Sequence, residues 1–192
     1  MATPWSAFLP YVHPEAAGAP VAVVLSKIRH AAQDFCQESQ IWRESLDPVV
    51  FPKGVKEADL EAPDDDSRIV ELVWLKDAGG SKLAPGADYT ATHETITLAS
   101  APAKAFTCSA LAALKPSASA ETVLDFLFHD WSEAIAHGAL GKLMAMVGRE
   151  WLSPQGAAFH RQEFSKGVAA ARARINKGYA SRSLQVSLRR QV

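Results

Sequence analysis

Cysteine is nearly absent from this chain. Only Cys36 and Cys108 occur among 192 residues, each inside an apolar pattern. Two such thiols do not make the framework that staples small secreted domains, nor the paired spacing of a cysteine metal site. Both read as buried thiols of a reducing compartment. Long apolar runs are missing too. No stretch approaches the ~18 residues that a membrane-spanning helix requires. The start, Met1-Ala2-Thr3-Pro4-Trp5, has neither the basic flank nor the apolar core of a secretory signal. The expectation is a protein made and kept in the cytoplasm, with no membrane partner.

Signatures of catalysis are equally scarce. There is no GxSxG elbow, and neither cysteine has a cation beside it in the sequence to lower its pKa. His129 and Asp130 precede His137 by two helical turns, whereas metal-binding histidine pairs on helices stand four apart, and no further acidic or cysteine ligand completes a set. Gly138-Ala139-Leu140-Gly141-Lys142 matches the close of a phosphate-binding loop. Ala136 stands where that loop needs glycine, however, and Leu143 where the metal needs a hydroxyl, so the glycines read as helix packing or a kink. No metal, no cofactor and no enzymatic activity are expected. The competing reading is a small cytosolic enzyme or nucleic-acid-binding protein whose site is assembled from distant residues such as His129, Asp130 and His160.

What the chain does have is enough apolar material for a core: 48% hydrophobic against 21% charged residues, at a length that suits one domain. Its net charge of −1 hides a polarity. Residues 1–100 sum to −7, residues 101–159 to −1 and residues 160–192 to +7. Such a chain suits head-to-tail or ring contacts between copies, or a basic end that meets an acidic partner or nucleic acid.

Periodicity sets out the elements. Four prolines in the first twenty residues predict an extended strap over 1–20, anchored by Trp5, Phe8 and Leu9. Apolar residues spaced by three and four predict a helix over 20–38. Residues 41–115 read as one small antiparallel sheet inserted between helices. Within it, Arg68 to Lys76 is apolar on both faces, as a strand inside a packed sheet would be, and Phe106 to Leu114 alternates, with Phe106, Cys108, Ala110 and Ala112 on one side. Two long helices are expected over 119–178. The first is capped by Ser119, carries Val123 to Val147 on one stripe and ends at Gly148; the second runs over 154–177 behind Ser153-Pro154. The fold class is thus α+β: an antiparallel bundle of about three long helices with a small β insertion and an extended tail over 179–192, all in a single domain. In the tail, Leu184, Val186 and Leu188 alternate with polar residues, a strand pattern with no local partner that invites a sheet edge of another subunit.

The strongest functional signal is basic. Arg172, Arg174 and Lys177 stand on the last helix, with Arg182, Arg189 and Arg190 beyond it, placed to meet an acidic subunit surface or a phosphate backbone.

Taken in order, these segments resemble the head-to-tail adaptor proteins of tailed bacteriophages. Trp5-Ser6-Ala7-Phe8-Leu9-Pro10, the helix bearing Ile28-Arg29-His30-Ala31-Ala32-Gln33-Asp34-Phe35-Cys36, and Trp42-Arg43-Glu44 are similar to the family's opening. Asp130-Trp131-Ser132-Glu133-Ala134-Ile135, Trp151, and Phe164 with Ala169-Ala170-Ala171-Arg172-Ala173-Arg174 are similar to its closing helices. The resemblance implies a virion structural protein of the neck, made in the host cytoplasm. It implies a ring of twelve copies around a channel for genomic DNA that passes without sequence specificity. It also implies a C-terminal extension, here Arg182 to Val192, that docks into the portal protein, and a downstream tail or nozzle protein on the far side. Within that extension, the partner-binding residues would be Arg182, Leu184, Val186, Leu188, Arg189 and Arg190, while Arg172, Arg174 and Lys177 would face a neighbouring subunit or the channel.

Overall fold

A computed structural model describes residues 2–178 of the chain. In chain order the elements are β1 (Ala2–Pro4), a 3-10 turn (Trp5–Phe8), α1 (Leu9–Val12), α2 (Val21–Ser39), β2 (Arg43–Ser45), β3 (Val49–Phe51), β4 (Glu57–Asp59) and β5 (Ser67–Lys76). Then follow β6 (Tyr89–Ala91), β7 (Thr95–Leu98), β8 (Phe106–Pro116), β9 (Thr122–Leu124), α3 (Asp125–Leu143) and α4 (Pro154–Lys177).

The expected three-helix bundle with a small β insertion is not what forms. Among the described residues there are four α-helices and nine strands in three antiparallel sheets, a mixed α+β fold. One hydrophobic core runs through both kinds of element. Ile28 and Phe35 of α2, Ile135 and Leu140 of α3, Leu75 of β5 and Leu114 of β8 are all buried within it. The sheets are therefore a structural half of the core, not an addition to a finished bundle. Nor is the β region a single sheet: β8 organises one of four strands, and β4, β7 and β6 form a second of three.

β8 is the central strand. Cys108, Ala110, Ala112 and Leu114 alternate along it and are all buried, the pattern its sequence predicts. On one side it pairs with β2 and β3, which follow a single path broken at Asp47-Pro48. Proline lacks the amide donor that a continuous ladder needs, yet Leu46 between the two strands still donates its N–H to Ala110 at 3.0 Å. On the other side lies β5, whose apolar run suggested a strand flanked on both sides. Among the described residues its one strand partner is β8, with a single bridge from Lys76 to Lys82 on the other edge, and two register shifts interrupt the β8 ladder, between Ile69 and Glu71 and between Leu72 and Trp74. Ile69, Leu72 and Leu75 consequently stand opposite Leu114, Ala112 and Ala110. Each bulge stretches the inward spacing from two residues to three. The apolar pattern on both faces is a bulged edge strand's, not a central strand's.

The first twenty residues also differ from the expected strap. β1 pairs with β9, setting Thr3 opposite Val123. The chain then turns tightly, and Pro10 falls in the first turn of α1, where a missing N–H costs nothing. Trp5 and Phe8 do anchor the segment. Trp5 donates its indole N–H to the Ala120 carbonyl at 2.8 Å, and Phe8 meets Phe128 edge-on at 5.0 Å. Fully burying an aromatic side chain contributes about 1.5–3 kcal/mol. Pairing with β1 also explains why the third helix starts late. Val123 and Leu124 belong to β9, Ser119 caps nothing, and α3 begins at Asp125 and ends at Leu143, short of Gly148. Val147, expected on the buried stripe, is 87% exposed.

α2 and α4 lie where periodicity puts them. Ser153 Oγ accepts the Gly156 N–H at 3.2 Å, with Pro154 at the first helical position. α3 and α4 run antiparallel in close contact. A Cβ on Gly138 would sit 2.7 Å from the Phe164 ring, and one on Gly167 only 2.5 Å from Ala134 Cβ. The glycines of α3 are therefore packing positions that let the helices approach.

Candidate functional site

The far end of α4 gathers most of the described residues singled out in the sequence. Arg172 Nε donates to the Glu38 carbonyl at 2.8 Å, in the last turn of α2, where the carbonyl ends of a helix favour a cation. Arg174 pairs with Asp130 of α3 at 3.0 Å and lies over the Trp131 ring at 5.8 Å. These two guanidinium groups thus tie α4 to α2 and α3. Lys177 is exposed in the final turn. Arg182, Leu184, Val186, Leu188, Arg189 and Arg190 lie outside the described residues.

Where α4 ends, a groove of about 520 Å³ opens between it and β2. Ile41, Leu124, Phe126 and Ile175 supply its apolar wall, each half-buried, and Gly178 lines it as well. Arg43 and Glu44 of β2 form the opposite rim, with Glu44 held by the Trp42 indole N–H at 2.8 Å. β2 has β8 on one edge and, among the described residues, no strand on the other. The Trp42 carbonyl accepts from Leu114 and the Leu46 N–H donates to Ala110. In an antiparallel ladder the backbone groups of residues 42, 44 and 46 then point toward β8, and those of Arg43 and Ser45 point away from it. An apolar trough beside backbone groups that have no partner among the described residues is a surface suited to an extended peptide.

The enzyme-like set His129, Asp130 and His160 does not share partners. Asp130 holds Arg174, His129 meets the ring of Phe128, and His160 belongs to a different cluster. Its Nδ1 lies 2.8 Å from Nδ1 of His137, and its Nε2 lies 3.1 Å from Glu15 Oε2. Burial, opposed by Glu15 and reinforced by His137, pushes the His160 pKa below 6.5. Beside them, Glu163 is held below the usual carboxylate range by its hydrogen bond from Lys166. Among the described residues no group of three or more His, Cys, Asp or Glu side chains is arranged to hold a metal.

Sequence reasoning does not bring His137 to His160, although a signal for the pairing exists. Two long helices joined by a short turn run antiparallel, so residues equidistant from that turn face each other. The midpoint of 137 and 160 falls at the turn between α3 and α4. Glu15 gives no such signal, because it arrives from the N-terminal segment. Both cysteines are buried. Burial raises the Cys36 thiol strongly, and burial together with Asp77 pushes Cys108 up to about 11, which leaves both as weak nucleophiles. No protein-family model matches the chain, and no curated protein matches it.

Proposed function

We propose that this chain is a structural subunit of a phage neck, a head-to-tail adaptor that assembles as a ring, of twelve copies in the family it resembles, between the portal and the tail. It acts by joining surfaces, not by making or breaking bonds. The basic terminal extension engages the portal, the far side receives the next tail component, and genomic DNA passes through the ring without sequence readout. Its place is the neck of the virion, after synthesis in the host cytoplasm.

The observation that carries this reading is the arrangement at the end of α4. A helix with a basic last turn ends at Gly178, beside an apolar groove, and the sequence continues for fourteen residues with three arginines and no acidic side chain. Such a terminus suits a protein that works by strand and charge contacts with a larger ring. The ordered likeness to adaptor sequences, from Trp5 through Trp42-Arg43-Glu44 and again from Asp130 through Arg174, supports the same reading.

Deleting residues 180–192 is expected to leave a folded protein that no longer co-sediments with portal rings. Unchanged co-sedimentation would rule the proposal out. Retention of DNA duplexes of any sequence in a gel shift, with an affinity that falls steeply as salt rises, would favour a nucleic-acid-binding protein instead.

A further inference from the structure

Histidine spacing along α3 rules out a metal pair within that helix, but α4 carries a second imidazole across to it. His137 Nδ1 and His160 Nδ1 lie 2.8 Å apart. The His160 ring is buried, and its other nitrogen, Nε2, lies 3.1 Å from Glu15 Oε2. That carboxylate fixes the His160 proton on Nε2 and leaves the Nδ1 lone pair facing His137. A carboxylate behind an imidazole is the arrangement that orients histidine ligands around transition metals and raises their basicity.

We infer that His137 and His160 form a chelating pair for a divalent transition metal of the zinc class, held through both Nδ1 atoms and clamping α3 to α4. Two nitrogens at about 2.0–2.1 Å from a tetrahedral Zn2+ stand about 3.3 Å apart, so the pair has to open by roughly half an ångström. His137 is the ring that gives, because it is half-buried and lines a groove of about 600 Å³, whereas Glu15 holds His160 from behind. In the metal-free pair His137 donates its Nδ1–H to His160. On binding, that proton passes to His137 Nε2, so both rings stay neutral and both lone pairs face the ion.

The surroundings suit a cation. Glu163 lies three residues beyond His160, on the same face of α4, and lines the groove with His137 and Glu133. Lys166, the cation beside them, holds Glu163 at 2.7 Å. Two imidazoles are not a set of three as they stand. Glu163 is the carboxylate placed to become a third ligand on leaving Lys166, and water entering by the groove completes the shell. Imidazole ligands suit Zn2+, Cu2+ and Ni2+, while Mg2+ and Ca2+ prefer oxygen. The inference is independent of the neck reading, since its ligands come from this chain alone.

The test is titration of the chelator-stripped, full-length protein with Zn2+, followed by calorimetry and by two-bond proton–nitrogen NMR of the histidine rings. One Zn2+ is expected to bind per chain. The NMR spectra should show His137 and His160 both protonated on Nε2 and shifted at Nδ1, with the exposed His13, His30, His93 and His129 unchanged at one equivalent. His137→Gln should remove this binding step. Glu15→Ala, which leaves both ligands in place, should weaken it at least about tenfold. Mg2+ should not compete. Thermal unfolding of each variant in chelator checks that it folds. An equal affinity in the parent and His137→Gln would overturn the inference. Zn2+ shifts at His137 and His160 no larger than those at the four exposed histidines would overturn it as well, because the pair would then be a hydrogen bond and nothing more.

Discussion

Burying an imidazole penalises its charged form, and His160 sits 3% exposed between α4, α3 and the N-terminal segment. The 2.8 Å approach of two Nδ1 atoms is a hydrogen bond only while one of them keeps its lone pair. Glu15 takes the N–H at His160 Nε2, so the neutral tautomer leaves His160 Nδ1 to accept from His137. A second proton on His160 would reverse the bond, requiring His137 to change tautomer and accept at its own Nδ1. The folded-state pKa lies below the ordinary 6.5, so the unfolded chain binds more protons through this window. The stability that neutral His160 contributes is therefore fully present above about pH 6.5 and is lost as the pH falls below it, by at most about 1.4 kcal/mol per pH unit. Denaturant midpoints measured between pH 8 and pH 5 should fall faster for the parent protein than for His160→Gln. The variant should start about 1–2 kcal/mol lower at pH 8, having lost the pair. Parallel profiles would show that His160 does not titrate within the fold.

At the scale of elements, the contact between α3 and α4 decides between two opposed effects. Replacing a helical glycine with alanine normally stabilises by up to about 1 kcal/mol through helix propensity. At Gly167 the added Cβ would lie 2.5 Å from Ala134 Cβ, and overpacking of this kind costs about 1–3 kcal/mol. The clash wins, so Gly167→Ala should lower Tm. Adding Ala134→Gly should restore part of the loss beyond additivity, because the two positions touch. A rise in Tm for Gly167→Ala alone would show that the helices part without cost. These helices are legible in the sequence because their signals are local: Pro20 and Pro154 at the starts, the Ser153 cap, and apolar spacing along α2 and α4. β8 is legible through strict alternation. What the sequence conceals depends on partners distant along the chain. Val123 and Leu124 fit a helical stripe until β1 arrives from residues 2–4 to pair with them. The bulges of β5 disguise an edge strand as a central one, and β4 carries only Glu57, Ala58 and Asp59, too short and too acidic to show an apolar alternation. At the candidate site, Arg172, Arg174 and Lys177 stand out by composition alone. Their partners Glu38 and Asp130, and the groove itself, require the packing of α2, α3 and α4.

For the whole molecule the issue is what its charge separation can still do once folded. Inside the described body Arg172 and Arg174 already have acceptors, and Lys142 holds Asp34 at 2.6 Å. Exposed pairs of this kind contribute little to stability, about 0–1 kcal/mol. Positive charge then continues from the exposed Lys177 into the sequence beyond it, whereas Asp64, Asp65 and Asp66 project from an exposed loop. If copies join head to tail, or if the basic end meets an acidic ring, these charges act between molecules, where solvent ions screen them. Raising monovalent salt from about 0.1 M to about 1 M shortens the screening length from about 10 Å to about 3 Å. Apolar contacts are not screened in this way, so the direction of the effect identifies its source. Association of the protein with portal rings, followed by sedimentation velocity, should weaken at least about tenfold over that range, with slower association as the main cause. An affinity that holds or rises with salt would mean that buried apolar surface drives the contact, and that the basic terminus contributes its strand pattern and not its charge.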